Sequence, residues 1–235
     1  ALYASGMTAE HVIESFKSDL RLPWVFRRMP AGGYWYLMYK YRRGQFDPML
    51  RKYLDDKRLE QLPLPMLTVT VDLVSGGPLV RETGDATRNI LESINLPGLS
   101  SPIISEGRAL VDGGLVNNIP ADVLVGKGCN IVLASSVTAK LEHEFLGIRP
   151  DQPIKKHRSP SFLKVLMRGY LVQSYNMNDV GVQPADFVIE PDVTAFDLSE
   201  FERADEMAAV GEETTVESLV QIRQLLNKLD PQLFK

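Results

Sequence analysis

The sequence has few cysteines and histidines among its 235 residues. Its one cysteine, Cys129, cannot form an internal disulfide, which excludes a disulfide-stapled fold and is typical of the reducing cytoplasm. The three histidines, His11, His143 and His157, share no metal-ligand spacing with one another or with the cysteine. We therefore expect neither a metal site nor a bound cofactor.

The sequence also lacks an excess of positive charge and any long apolar run. Lys and Arg number 26 against 30 Asp and Glu, and the resulting net charge of −4 argues against nucleic-acid binding. No run of 18 apolar residues occurs, which excludes a membrane-spanning helix from this sequence. With 44% of the residues apolar and no linker or repeat between them, residues 1–235 suit one large α/β domain or two small ones.

Strand and helix patterns alternate along the chain. Strands are predicted at 66–74, 79–82, 108–112, 130–137 and 185–190. Helical periodicity occurs at 1–20 with a break at Gly6, and at 47–59, 86–95, 121–126, 161–178, 200–210 and 214–229. The near-continuously apolar run at 130–137 is typical of a buried strand in a parallel sheet. Loops are expected at 99–108 and 138–160, and the alternation as a whole predicts a layered α/β domain.

The C-terminal helices carry more specific expectations. Ser199 and Glu202 have the spacing of a capping box for the helix at 200–210, and Gly211 is predicted to end that helix. The buried stripe of the helix at 161–178 is predicted to include Phe162, Val165, Leu166, Tyr170 and Val172.

The segment 21–47 mixes aromatic side chains with cations and contains no acid between Asp19 and Asp47. Both tryptophans, Trp24 and Trp35, lie in it. Such a mixture suits a membrane interface, where rings sit at headgroup level and cations meet anionic lipid. It equally suits a partly buried cap or lid in which Arg and Lys stems cover aromatic surface. Both interpretations remain open, and the Pro30, Gly32 and Gly33 breaks exclude one long amphipathic helix.

A short apolar strand ends at Asp112 and turns through two glycines. Such a turn presents its carboxylate at the edge of a sheet, where α/β folds place their ligands. The alternative is an ordinary strand–turn–helix connection in which the aspartate only caps the turn. The full turn reads Val111-Asp112-Gly113-Gly114-Leu115-Val116-Asn117-Asn118-Ile119-Pro120.

The extended turn and its surroundings resemble the C-terminal two-thirds of a patatin-like phospholipase domain, in particular the lysophospholipase branch that includes neuropathy target esterase. The supporting motifs are Gly84-Asp85 opening a helix that ends at Leu96-Pro97-Gly98, the apolar strand 131–134, and the stretches 185–192 and 201–206. The likeness covers essentially the whole chain. It implies a three-layer α/β/α fold with a mostly parallel central sheet, truncated at its N-terminus.

The resemblance implies a lipid acyl-ester hydrolase of the phospholipase or lysophospholipase type that uses a serine–aspartate dyad. Asp112 would accept or orient the serine proton, and Gly113, Gly114, Asn117 and Asn118 would form the frame that aims it. A hydroxyl near its free pKa is a weak nucleophile and needs such a base. Because a dyad dispenses with the histidine of a triad, the lack of a well-placed histidine is no objection.

The sequence departs from that family pattern in one respect. No Gly-x-Ser-x-Gly motif and no glycine-rich oxyanion loop occurs in the 235 residues. Tyr3-Ala4-Ser5-Gly6 and Val74-Ser75-Gly76 lack the first glycine. We therefore assign no nucleophile, expect it upstream of Ala1, and expect the 235 residues alone not to hydrolyse esters.

Three functional hypotheses follow from the sequence. The first is a serine hydrolase acting on phospholipids or lysophospholipids, and the second is a catalytically inactive relative that serves as a lipid-binding or scaffold module. The third is an unrelated α/β domain that binds a phosphorylated small molecule. Its only candidate phosphate loop, 73–78, ends in Pro78 and is followed by no helical pattern.

Overall fold

The structure is a computed structural model that describes residues 1–29, 32–138, 141, 144–150, 152–153, 162–196 and 199–229, without the side chains at 34, 163 and 179. Most of the predicted loop at 138–160, together with Pro30, His143 and His157, lies outside the described residues.

Four strands form the main sheet. They are β1 (Thr68–Asp72), β2 (Pro78–Arg81), β3 (Ile103–Ser105) and β4 (Arg108–Asp112), and their order across the sheet is β2-β1-β4-β3. Every neighbouring pair is antiparallel, and Thr70 of β1 lies opposite Asp112 of β4. The mixed α/β class is confirmed, whereas the expectation of a mostly parallel central sheet is wrong for this sheet.

Tight hairpins explain the antiparallel order. The connection from β3 to β4 consists of Glu106 and Gly107, which both have positive φ, at 52° and 75°. Two central residues with positive φ are the signature of a type I′ turn, which joins antiparallel strands directly. The sequence had predicted a loop over 99–108. That prediction missed β3, which is only three residues long. A parallel pair would instead have required a crossover connection of a dozen or more residues.

A second, two-stranded sheet contains the parallel pair. Here β5 (Leu133–Ser135) lies beside β6 (Phe187–Ile189), and the chain between the two strands includes a long helix. The strand predicted at 130–137 is therefore real but short. It is also less buried than its apolar composition indicated, because the side chain of Leu133 is 44% exposed.

Eight α-helices complete the described fold: α1 (Ala9–Asp19), α2 (Trp24–Arg27), α3 (Gly32–Arg42), α4 (Phe46–Leu54), α5 (Ala86–Ser93), α6 (Ala121–Gly126), α7 (Phe162–Val182) and α8 (Ala204–Leu229). Local capping sets several of the starts. The Thr8 hydroxyl accepts the His11 N–H, and the Asp85 carboxylate accepts the Arg88 N–H at 2.7 Å. Residues 1–6, predicted to be helical, form only a turn.

Two predictions for the C-terminal helices are wrong. α8 runs unbroken through Gly211, because one glycine in a helix interior costs only about 1 kcal/mol and the rest of the segment favours helix. The Glu202 carboxylate does not complete a capping box but accepts the Leu22 N–H at 3.2 Å and pairs with Arg27. A long-range contact between the two ends of the chain has replaced a local one.

Two apolar clusters hold these elements together. In the first, α5 packs on α4 beside the short 3₁₀ segment Leu59–Gln61, and α5 also contacts β1 and β4. The second joins α3 and α4 to α7 through Leu37, Phe46, Leu99 and Met167. The helical layer thus supports the end of β4, where Asp112 lies.

Candidate active site

The backbone of the Asp112 turn is pressed against β1. After β4, Gly113–Leu115 forms a short 3₁₀ turn, and the Gly114 N–H donates to Asp112 Oδ1 at 2.7 Å. A Cβ on Gly113 would lie 2.3 Å from the Val69 carbonyl oxygen, so only glycine fits this position. The capping role considered for Asp112 is therefore present, and one further contact accompanies it.

That contact comes from Tyr170 on α7. The Tyr170 hydroxyl lies beside the Asp112 carboxylate and acts on its charge. A Cβ built on Gly114 would lie 2.8 Å from the Tyr170 hydroxyl, 3.0 Å from Asn118 Oδ1 and 3.1 Å from Asp112 Oδ1. Gly114 thus leaves open the space on which three polar oxygens converge.

Burial changes the acidity of these groups. Burial raises the pKa of the Asp112 carboxyl above its usual range, while the hydrogen bond from the Gly114 N–H and the neighbouring Tyr170 hydroxyl lower it without cancelling the rise. Burial, followed by the nearby Asp112 charge, raises the pKa of Tyr170, so its hydroxyl stays protonated. A carboxylate with a raised pKa is a stronger proton acceptor than an exposed one.

The two asparagines of the predicted frame act on neighbouring segments. Asn118 Nδ2 donates to Asn178 Oδ1 at 2.9 Å and to Thr138 Oγ1 at 3.0 Å, which ties the turn to α7. Asn117 Nδ2 donates to Asp122 Oδ1 at 2.7 Å, in the first turn of α6. Both side chains therefore bond the turn to neighbouring segments, and neither is hydrogen-bonded to Asp112.

Asp112 lies in the wall of a groove with a cavity volume of about 520 Å³. The groove lies between the start of β1 (66–69) and β5, and its wall also includes Gly113, Gly114 and the start of α6. Its volume falls within the range of small-molecule sites, about 300–1,000 Å³. Ser93 and Ser135 line the groove, but among the described residues no serine hydroxyl is hydrogen-bonded to Asp112.

Sequence reasoning missed the part of the site that α7 supplies. Tyr170 was assigned to an apolar stripe with Phe162, Val165, Leu166 and Val172, yet those four side chains are exposed, Phe162 by 82%. The side chains that face the turn are instead Tyr170, Ser174 and Asn178. The signal was present, because polar-tipped residues four apart lie on one face of a helix.

The candidate phosphate loop does not have the required geometry. Ser75, Gly76 and Gly77 form the hairpin between β1 and β2, and the Ser75 hydroxyl donates to the Asp72 carboxylate at 2.9 Å. A phosphate loop requires a strand followed by a helix, whereas β2 follows here. Within the described ranges no three His, Cys, Asp or Glu side chains lie together as a metal site.

The aromatic and cationic segment 21–47 has a buried and an exposed side. Tyr36, Leu37 and Met38 of α3 are buried, so that side of the segment is packed. On the other side lies a depression of about 330 Å³, which we call the Trp35 face. Its walls are Phe26, Met29, Trp35, Tyr39, Arg42 and Arg43, together with the edge of Met38.

The Trp35 face exposes large apolar groups beside cations. Trp35 is 46% exposed and Tyr39 is 47% exposed, and both arginines of the face are exposed. In the described part of the chain no carboxylate forms an ion pair with Arg42 or Arg43. None of the helices described here is both long and apolar enough to cross a bilayer.

Comparisons with known proteins support a family assignment. No family model matches the chain. An uncharacterised NTE family protein of Mycobacterium tuberculosis is 23% identical over 186 residues, which cover 72% of this chain and 31% of the relative. Human patatin-like phospholipase domain-containing protein 6 is 32% identical over 99 residues, 41% of this chain and 7% of the relative.

A third relative matches a similar share of the chain as the mycobacterial protein does. Lysophospholipase NTE1 of Kluyveromyces lactis is 25% identical over 180 residues, 71% of this chain and 12% of the relative. The chain thus spans less than a third of the length of each of these relatives. These similarities to NTE family and patatin-like phospholipase domain-containing proteins support a patatin-like family of the neuropathy target esterase (NTE) type for the chain.

Proposed function

We propose that the protein takes part in the hydrolysis of acyl esters of phospholipids or lysophospholipids, with Asp112 as the base of a serine–aspartate dyad. The observation that carries this proposal is a buried carboxylate with a raised pKa in the wall of a groove large enough for an acyl group. The names of the phospholipase and lysophospholipase relatives support the substrate class.

The proposed reaction proceeds in two half-reactions. The serine oxygen attacks the ester carbonyl while its proton passes to the Asp112 carboxylate, and the alcohol then leaves with a proton from Asp112. Water next attacks the acyl–serine ester, losing its proton to Asp112, and the serine oxygen leaves with that proton, which releases the fatty acid and restores the serine hydroxyl and the Asp112 carboxylate. Burial favours each proton transfer to the carboxylate because it disfavours the charged form.

The nucleophilic serine belongs, in this proposal, to sequence outside the 235 residues. No Gly-x-Ser-x-Gly occurs within them. The serine hydroxyl has to come within about 2.6–3.2 Å of the Asp112 carboxylate, and the groove beside Asp112 is the space from which it would do so. The lack of a Gly-x-Ser-x-Gly motif in the 235 residues favours a second candidate function, a catalytically inactive module that binds lipid.

The Trp35 face supports a contact with lipid surfaces. Its exposed rings match the headgroup region of a membrane, and Arg42 and Arg43 complement anionic lipid. In this proposal the buried side of segment 21–47 packs on the domain, while its exposed side meets the substrate-bearing surface.

The Asp112→Asn variant of the whole encoded protein tests the dyad. Hydrolysis of lysophosphatidylcholine should fall by at least about 10³-fold in kcat, because an amide cannot accept the serine proton. Asp56→Asn, which removes a 97% exposed carboxylate, serves as the control and should retain full activity. Full activity of Asp112→Asn would refute the dyad, and a wild-type protein that binds but does not hydrolyse the lipid would favour the inactive module.

A further inference from the structure

The Asp112 turn is held by a polar face of α7. Tyr170, Ser174 and Asn178 follow one another at four-residue intervals, so their side chains lie along one side of the helix. Each contacts a different part of the turn. The Tyr170 hydroxyl lies beside the Asp112 carboxylate at the open side of Gly114, Ser174 Oγ donates to the Gly114 carbonyl at 3.4 Å, and Asn178 accepts from Asn118.

The next helical turn continues this contact. A Cβ on Gly181 would lie 2.5 Å from the Ile119 carbonyl oxygen, so the end of α7 also requires glycine to approach the turn. Tyr170 to Gly181 of α7 therefore lie along the whole segment from Asp112 to Ile119. Such contact along several turns of helix fixes the position of the turn more rigidly than a single hydrogen bond does.

Gly114 lies where the Tyr170 hydroxyl of α7 meets the Asp112 carboxylate of the turn. Its φ is not in the positive region, so backbone conformation does not require glycine here. What requires it is space, since a Cβ would lie 2.8 Å from the Tyr170 hydroxyl and 3.1 Å from Asp112 Oδ1. A side chain at this position would push Tyr170 away from Asp112. The second glycine of the turn thus has a physical explanation in the Tyr170–Asp112 contact.

We propose that Tyr170 is a positioning residue for Asp112, and that α7 through Tyr170, Ser174 and Asn178 sets the orientation and basicity of that carboxylate. This inference rests on the proposed function only for its catalytic consequence. A hydroxyl beside a carboxylate restrains its rotation and stabilises its charged form, so the hydroxyl controls how readily the carboxylate takes up a proton.

The electrostatic surroundings of Asp112 leave Tyr170 as the controlling side chain. Among the described residues, the titratable groups that interact with the carboxylate are Tyr170 from α7 and Tyr41 from α3. The Tyr41 hydroxyl donates to the Ile94 carbonyl at 2.6 Å and acts on Asp112 only through space. The Gly114 N–H is a backbone donor and does not depend on either tyrosine.

The first test uses the 235-residue chain and needs no activity. Carboxyl ¹³C resonances of labelled aspartate are followed by NMR as the pH is varied, in wild type and in Tyr170→Phe. Loss of the neighbouring hydroxyl should move the titration of Asp112 to higher pH, because the charged form loses a stabilising contact. Tyr175→Phe, which removes an exposed hydroxyl from the same helix, should leave the titration unchanged. An unshifted Asp112 in Tyr170→Phe overturns the inference.

A second pair of variants separates positioning from general damage to the fold. Gly114→Ala should destabilise the protein, and the loss should be smaller in a Tyr170→Phe background, because phenylalanine lacks the oxygen that the new methyl group meets. The free energies of urea unfolding for the four proteins measure this coupling. Losses that simply add would contradict the role assigned to Gly114.

The catalytic consequence is tested in the whole encoded protein. In Tyr170→Phe, kcat should fall by roughly 10- to 100-fold and the acidic limb of the kcat/KM profile should move to higher pH. If lipid is hydrolysed and the Tyr170→Phe profile equals that of wild type, the positioning role is refuted while the proposed function stands. If no lipid is hydrolysed at all, the proposed function fails and the NMR titration still decides the inference.

Discussion

Asp112 accepts the Gly114 N–H and lies beside the Tyr170 hydroxyl in a buried position, and these polar contacts and burial act on its charge in opposite directions. Burial prevails, so the pKa of this carboxyl is higher in the folded than in the unfolded protein. A group with a raised folded pKa contributes stability that is complete below its unfolded pKa and is lost as the pH rises through its folded pKa. At neutral pH the charge of Asp112 therefore reduces the stability of the fold.

Removal of this charge should stabilise the protein. We expect Asp112→Asn to raise the free energy of unfolding at pH 7 by on the order of 1 kcal/mol, or roughly 2–4 °C in Tm. The amide retains an oxygen that can accept the Gly114 N–H. The gain should disappear in melts below pH 4, where the Asp112 carboxyl is protonated in both the folded and the unfolded protein. Asp56→Asn should show no gain, and a lower Tm for Asp112→Asn at pH 7 would contradict the electrostatic explanation.

At the scale of elements, α5 is joined to β2 through a buried ion pair. The Glu92 side chain is fully buried, with one oxygen 3.5 Å from Arg81 Nε on β2 and the other 3.4 Å from Arg88 Nε on its own helix. Desolvation of such a carboxylate is expensive and is offset only while its cations remain in place. The contact therefore makes the position of α5 on the sheet depend on Arg81.

Arg81→Met should cost about 2–4 kcal/mol of unfolding free energy, because it leaves Glu92 buried with Arg88 as its remaining cation. Combining it with Glu92→Leu should recover most of that loss, since two apolar side chains carry no desolvation penalty. Urea unfolding measures both. As a control, Arg58→Met removes an exposed pair with Glu60 and should cost less than about 1 kcal/mol. Equal losses for Arg81→Met and Arg58→Met would be incompatible with a structural role for the buried pair.

At the scale of the whole molecule, net charge and local charge have opposite signs. The chain carries −4 overall, which repels anionic surfaces at long range. The Trp35 face nevertheless presents Arg42 and Arg43 beside exposed rings. Since screening limits the repulsion to about 8–10 Å at moderate ionic strength, the local cations dominate once the face is close to a membrane.

Binding to vesicles tests whether the Trp35 face contacts the membrane. Trp35→Ala with Arg42→Glu should weaken co-sedimentation with phosphatidylglycerol-containing vesicles by at least about 10-fold, since a headgroup-level ring and two units of charge are lost. Tyr3→Ala with Arg223→Glu removes an exposed ring and makes the same charge change outside the Trp35 face, and it should bind like wild type. If both double variants bind alike, only the packing role of segment 21–47 remains.

Local sequence by itself determined the elements around the site. β4 spans Arg108–Asp112 and α6 spans Ala121–Gly126, as their patterns predicted, and Asp85 caps α5. These features depend on neighbours within a few residues, such as a carboxylate near a free N–H or an apolar run that ends at glycines. The Asp112 turn could be identified for the same reason.

Tertiary structure decided how those elements combine. The short β3, the antiparallel order of the main sheet and the passage of α8 through Gly211 depend on contacts between distant segments, which outweigh local preference. The same holds for the site. Asp112 was a candidate base from the sequence, but its pKa depends on burial and on Tyr170, which lies 58 residues further along the chain. A local pattern identifies a carboxylate, but only the packing around it sets its pKa.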